Sequence, residues 1–313
     1  MAQDDYHLPA LEREIVERFA DLAPGVVIDA TVGGGGHAAA IIESAPQLRV
    51  LGVDRDPEAR AAARSRLGAD GARALIVEGA FGDLDAVVSD AGEWIGSDAV
   101  VGVLMDLGVS SHQLNEPARG FSFRVDAPLD MRMDPTRGET AADYLARVDQ
   151  HELARTLRAH GESRFAGAIA RAITSARPTT TFELVEAVER AVPPAARRRG
   201  HVATRVFQAV RVEVNDEVGE LERGLAAALA IVAVGGVVAV ISYHSGEDRA
   251  VKAVFHDAAT GGCTCPSDLG CVCGAVKRFR VWHNSAVMAG ATEVARNPRA
   301  RSARLRVVWK VEA

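Results

Sequence analysis

The sequence has little of what marks secreted, membrane-spanning or disulfide-built proteins. Its four cysteines all fall between Cys263 and Cys273; a cytoplasmic chain keeps such thiols reduced, so no structural disulfide is expected. The N-terminus, Met1-Ala-Gln-Asp4-Asp5-Tyr6, is acidic and lacks the basic start and apolar core of a signal peptide. One charge-free stretch, Leu225 to Ile241, runs seventeen residues, short of the ~20 that a bilayer requires. Gly235-Gly236 divides it into an Ala/Leu-rich half and a Val/Ile-rich half, so it reads as a helix leading into a buried strand. There is no internal repeat and no low-complexity tract. A soluble cytoplasmic protein without a membrane partner is expected. Excess positive charge is absent too: the net charge is −6, which argues weakly against a nucleic-acid partner.

That mean hides a gradient. Leu269 to Val311 holds nine Lys/Arg and the single acid Glu293. A second basic knot is Arg197-Arg198-Arg199-Gly-His201, with Arg205 and Arg211. Each cluster alone reads equally as solvated surface. Two of them in an acidic chain point to a phosphate-rich partner.

At 313 residues, 48% hydrophobic and 25% charged, the chain suits one large or two modest globular domains. Apolar runs at Val26–Ala30, Val50–Val53, Ala74–Val77 and Val100–Met105 alternate with helical stretches such as Pro57–Leu67. Strands spaced by helices predict right-handed βαβ units and a parallel, Rossmann-like α/β sheet. The alternation breaks at residues 112–135, a loop-like segment rich in Pro, Gly, Phe, Met and Asp. Helical patterns then dominate from Thr140 to about Leu229, with Thr140-Ala-Ala-Asp143 as a helix start. Strand character returns at Val237–Tyr243, a helix follows at Glu247–Asp257, and Arg304–Val311 alternates as a last strand. The expected organisation is a sheet domain from residues 1–111 and 235–313, interrupted by a helical insertion over 112–234.

The first strand runs into Asp29-Ala-Thr-Val-Gly33-Gly34-Gly35-Gly36-His37, and the second ends on Asp54. Glycines after a strand let backbone approach a ligand, and an acid at the next strand's tip accepts from ribose hydroxyls. A nucleoside cofactor is implied. The spacing Gly33-x-Gly35-x-x-Ala38 also meets the dinucleotide form, so an NAD(P)-linked oxidoreductase competes with S-adenosylmethionine. Asp29 favours the latter, because a carboxylate there repels a pyrophosphate and suits a sulfonium cation; His37 adds a donor in the first helical turn. Asp106 ends the fourth strand, where open α/β sheets bind ligands. Phe81, after the third strand, can flank a purine or belong to the core. Phe121-Ser-Phe123 and Asp130-Met-Arg132-Met-Asp134 read as a lid or base-stacking surface, or as a packing seam. Tyr243-His244-Ser245 can hold a polar planar substrate. Cys263-x-Cys265 and Cys271-x-Cys273 suggest zinc, although the spacing is tighter than the usual C-x2-4-C. An ordinary reduced surface loop is the preferred reading, and no residue is assigned as a metal ligand.

Several longer motifs carry a resemblance. Asp29 to His37, Asp54-Arg-Asp-Pro57, Met105-Asp-Leu-Gly-Val-Ser-Ser111, Gln113-Leu, Arg119-Gly-Phe-Ser-Phe123, Pro128 to Arg137, Ala203 to Arg211, Tyr243 to Arg249 and Asn297-Pro-Arg-Ala-Arg-Ser302 are similar to the MraW/RsmH family. The resemblance spans roughly His7 to Leu305. It implies an S-adenosylmethionine-dependent methyltransferase acting on the N4 amine of a decoding-region (P-site) cytosine in 16S rRNA of the small ribosomal subunit. It places cofactor contacts at Gly35, Gly36, His37, Asp54, Phe81, Asp106 and Gln113, and makes the insertion the rRNA-recognition domain. Asp106, or the backbone carbonyl beside it, is the expected catalytic acceptor. Departures are small: His112 stands where proline is commoner, Tyr243 where phenylalanine is, and Gly246 where a larger apolar residue is usual.

Overall fold

A computed structural model describes residues 8–68, 72–197, 202–266 and 272–312. The chain divides into two compact units, one from residues up to Gly108 together with those from Gly219 onward, the other Val109–Val218.

The first unit is built on a sheet of eight strands among the described residues: β1 (Gly25–Asp29), β2 (Leu48–Asp54), β3 (Ala74–Glu78), β4 (Val100–Asp106), β5 (Val237–Ser242), β6 (Phe279–Val281), β7 (Val287–Met288) and β8 (Arg304–Lys310). Their order is β3-β2-β1-β4-β5-β8-β6, with β7 also on β8. The first five are parallel, and β8 runs antiparallel to β5. Nearly every residue of β1, β4 and β5 is buried, which is why these strands read as unbroken Val/Ile/Leu runs rather than alternating ones. Strand order reverses between β1 and β4, the switch point at which such sheets open a crevice beyond their carboxyl ends.

Two apolar cores cover the two faces. On one, Ile15 and Phe19 of α1 (Glu12–Phe19), Ile41 and Ile42 of α2 (Gly36–Ser44) and Ala63 and Leu67 of α3 (Pro57–Leu67) meet Val27, Val50 and Leu104. α3 starts where the sequence predicts, because the Asp56 carboxylate accepts from the Glu58 N–H at 3.0 Å and Pro57 occupies the first turn. On the other face lie α4 (Leu84–Asp90), α5 (Gly92–Ile95), and two later helices at 217–231 and 245–260.

The second unit is helical: α6 (Ser111–Asn115), α7 (Ala141–Arg147), α8 (Gln150–Ala159), α9 (Ala166–Ala176), α10 (Thr181–Ala191), α11 (Pro194–Arg197) and α12 (Val202–Val214). Thr140 caps α7 as its sequence predicts, in a reciprocal box with Asp143, and Thr180 does the same for α10 with Glu183. Its core holds Leu145, Leu157, Ile169, Ile173, Leu184 and Val206, and extends to Phe121, Leu129 and Met131. The 121–133 loop is thereby anchored rather than mobile. Arg119 Nη2 donates to the carbonyls of Arg132 and Met133, and the Asn215 carboxamide bridges the Met131 carbonyl and the Met133 N–H. Phe121 and Met131 are therefore core, not a stacking surface; only Phe123 is left partly exposed, against Phe207.

The expected return to the sheet domain at residue 235 needs correction. The helix α13 (Glu217–Ile231) puts Leu221, Leu225 and Ala228 into the core beneath β4 and β5, so the first unit resumes at Gly219. Its Ala-rich pattern looks like the preceding helices, and only packing separates it from them. It is followed by α14 (Ser245–Thr260) and α15 (Ala291–Arg296). Truncating Leu225→Ala should destabilise the sheet unit by about 2–5 kcal/mol in denaturant unfolding; a loss under about 1 kcal/mol would return this helix to the insertion.

Candidate active site

The register of the parallel strands brings acids to one edge. Asp29 ends β1, Asp54 ends β2 opposite Glu78 of β3, and Asp106 ends β4. Between β1 and α2 the glycine loop turns back over them. Gly33 and Gly35 have φ of 50° and 78°, a left-handed conformation that glycine adopts without steric cost. Gly35 also sits close to α3, where a Cβ would lie 3.2 Å from Ala63 Cα. The Gly33 N–H donates to Asp54 Oδ2 and the Asp56 N–H to Oδ1, both at 2.9 Å. Asp54 thus braces the loop, and an ionised carboxylate has acceptor sites to spare for two hydroxyls.

Around Asp106 the arrangement is equally specific. Its N–H donates to Thr31 Oγ1 at 2.6 Å, and its Oδ1 accepts from the Tyr243 hydroxyl at 2.9 Å. Its Oδ2 lies 3.8 Å from His37 Nδ1. The other ring nitrogen of His37, Nε2, is 2.9 Å from the Ala10 carbonyl; a carbonyl only accepts, so Nε2 carries the proton and Nδ1 faces the carboxylate. Burial pushes the Asp106 carboxyl above its ordinary range, with His37 and the Tyr243 hydroxyl pulling the other way. Burial and the neighbouring Asp106 push the Tyr243 phenol well up, so it remains a donor. Burial likewise raises Asp29 to about 7, and Asp54 to about 6 against the pull of the Asp56 and Gly33 N–H groups.

Of the other expected residues, Phe81 is half-buried, with its ring against α13: a Cβ on Gly224 would lie 2.7 Å from it. The adjacent Gly82 N–H donates to Glu220, which also pairs with Arg55 at 3.0 Å. Gly36 opens α2. Gln113 belongs to the helical unit, where it is buried and closes a capping box with Ser110. His244 caps α14 through Nδ1, which accepts from the N–H groups of Gly246 and Glu247, so it is a structural cap rather than a substrate holder. The basic clusters are partly consumed by the fold: Arg205 pairs with buried Glu162, Arg211 with Glu217, and Arg304 and Arg306 with Asp248. Arg198, Arg199, His201 and Cys271 lie outside the described residues. Thr31 and the Tyr243 contact to Asp106 were not anticipated; no spacing rule links residues this far apart.

A glycine loop braced by one strand-end acid, with two more carboxylates beside it and no cation in the loop, suits a ribose and a positively charged ligand, and disfavours a pyrophosphate. No helix among the described residues is long and apolar enough to cross a membrane. The site and sheet define an S-adenosylmethionine-dependent methyltransferase. A profile of the MraW methylase family matches residues 4–311, and the chain belongs to that family. It is 46% identical over 316 residues to the ribosomal RNA small subunit methyltransferase H of Geobacter sp. (strain M21), with 99% of this chain and 100% of the relative covered. It is 47% identical over 312 residues to the protein of the same name from Geobacter sulfurreducens, covering 97% and 99%. With that from Symbiobacterium thermophilum it shares 48% identity over 315 residues, covering 98% of each.

The raised carboxyls set a pH dependence. A ribose hydroxyl and a cation both favour the ionised forms, so S-adenosylmethionine affinity should climb as pH rises through about 6, where Asp54 ionises. Below that it should fall by up to about tenfold per pH unit. Calorimetric titration between about pH 5 and about pH 8 measures this; Asp54→Asn should bind weakly and flatten the profile. A flat profile in the unmodified protein would overturn the role given to Asp54.

Proposed function

We propose that the protein transfers the methyl group of S-adenosylmethionine to the exocyclic N4 amine of a decoding-region, P-site cytosine in 16S rRNA of the small ribosomal subunit, in the cytoplasm. The observation that carries this reading is the Asp106 carboxylate, oriented by Tyr243 and presented at the end of β4 beside the glycine loop. The names of the relatives, each a ribosomal RNA small subunit methyltransferase H, support the substrate.

In this reading the first unit is a Rossmann-like cofactor domain. When bound, S-adenosylmethionine supplies an electrophilic methyl group on a sulfonium cation. The residues that would hold it are Gly35 and Gly36 through their backbone, Asp54 as acceptor for the ribose, Phe81 beside the purine, and Asp29, His37 and Asp106 toward the charged end. These residues fit such a group: the left-handed glycines keep the loop bare of side chains, and the desolvated carboxylates gain from a cationic neighbour.

Cytosine N4 is a poor nucleophile because its lone pair is delocalised into the ring. The base must leave its stack and be held with N4 about 3–3.5 Å from the methyl carbon. With Oδ1 committed to Tyr243, Oδ2 of Asp106 is the acceptor for an N4–H, which favours the tetrahedral nitrogen that attacks. The new N–C bond would replace the C–S bond, whose electron pair would stay on sulfur, and the excess amine proton would go to Asp106. Asp106 is the catalytic residue, while Tyr243 positions it. The helical unit is the proposed rRNA-recognition domain, supported by its exposed Phe123 and Phe182.

Labelled S-adenosylmethionine and small subunits from cells lacking the enzyme should give label on one cytosine N4, mapped by mass spectrometry. Label on a pyrimidine carbon, on protein or nowhere would sink the assignment. Asp106→Asn should lower kcat by about 10²–10⁴-fold with a lesser change in cofactor affinity. Near-normal turnover of that variant would reject the catalytic role. Tyr243→Phe should lower kcat by a smaller factor and shift the acid limb of the pH–rate profile upward, because the hydroxyl that favours the ionised carboxylate is gone.

A further inference from the structure

The methyl-transfer site leaves unused the three described thiols, Cys263, Cys265 and Cys273. After α14 ends on the left-handed Gly261, residues 262–278 cross to β6 with no helix or strand among the described residues. The described parts of this connection have no regular structure to fix their path. Three of its side chains converge: the Sγ atoms of Cys263, Cys265 and Cys273 all lie within 4.8 Å of one another. Cys263 and Cys265 are two apart, a spacing that places both side chains on one side of an extended segment, and Cys273 approaches from the returning arm. The thiols are only partly buried or exposed, so packing does not account for the convergence. Four-coordinate zinc holds thiolates at about 2.3 Å, which sets ligand sulfurs about 3.8 Å apart in a tetrahedron. The observed cluster needs only a small contraction to meet that spacing.

The geometry points to a structural zinc site in which Cys263, Cys265 and Cys273 supply three thiolates, a fourth donor completes the tetrahedron, and the ion clips the α14–β6 connection. An all-sulfur set of this kind selects a soft or borderline ion over magnesium or calcium. Binding exchanges each S–H proton for the metal, releasing the protons to solvent, with no change of oxidation state. The clip sets the path of Lys277, Arg278 and Arg280, which follow immediately in sequence. Its loss should loosen this connection without disturbing the cofactor site.

Full-length protein purified without chelators should carry roughly one zinc per chain by plasma mass spectrometry. The Cys263→Ser/Cys265→Ser double variant should lose at least about tenfold of it. Cobalt(II) added to demetallated protein should give the intense visible bands of a tetrahedral site together with a sulfur-to-cobalt charge-transfer band. Proteolysis within residues 262–278 should be several-fold faster in the double variant, while its calorimetric affinity for S-adenosylmethionine stays unchanged. Wild-type protein that takes up no zinc, zinc retained by the double variant, bound iron instead of zinc, or a protein mass short of hydrogens from disulfide formation would each overturn the assignment.

Discussion

Everything at the candidate site depends on gathering negative charge at one edge of a parallel sheet. Register alone brings Asp29, Asp54 and Asp106 to the ends of β1, β2 and β4, and burial then penalises each ionised form. The fold answers with hydrogen-bond donors: the Gly33 and Asp56 N–H groups on Asp54, and the Tyr243 hydroxyl on Asp106. Hydrogen bonds orient a carboxylate without neutralising it. An arginine in their place would satisfy the acids and leave nothing for a cationic ligand to gain. Glu220, which does pair with Arg55 and brace the Phe81 turn, shows the alternative used where no ligand charge is to be met.

Positive charge is divided between structure and surface in a way its sequence distribution hides. The basic C-terminal segment reads as a phosphate-binding stripe, yet part of it fastens the sheet. Arg304 and Arg306, alternate residues on β8 and so on one face, converge on Asp248 of α14. Lys310 Nζ meets the carbonyls of Leu229, Ala230 and Val232 at the end of α13, where a helix dipole favours a cation. These contacts hold the antiparallel strand against β5. An inference from net local charge to RNA binding therefore has to discount the residues that the sheet edge consumes.

Local signals were the legible ones. Apolar runs found the principal strands within a residue or two, Pro57 and Asp56 fixed the start of α3, and Thr140 with Asp143 did so for α7. The glycine loop and Asp54 were readable together because a single βαβ unit separates them. What escaped is non-local. Tyr243 and Asp106 meet although 137 residues apart, because β4 and β5 pair directly although the whole helical unit separates them in sequence. The pattern of α13 is that of any Ala/Leu helix, so its membership of the sheet core became visible only in packing. The Phe- and Met-rich stretch around residue 121 carries apolar side chains whether it forms a lid or a core, and composition could not choose between them.

The His37 ring shows how little freedom the site retains. Its Nε2 is tied to the Ala10 carbonyl, which can only accept, so rotating or re-tautomerising the ring would strand either a buried N–H or a buried carbonyl. That fixes Nδ1 toward Asp106. Burial raises the Asp106 carboxyl, while His37 and the Tyr243 hydroxyl lower it. The anchoring of His37 on the Ala10 carbonyl thus ties the segment leading into α1 to the carboxylate at the end of β4.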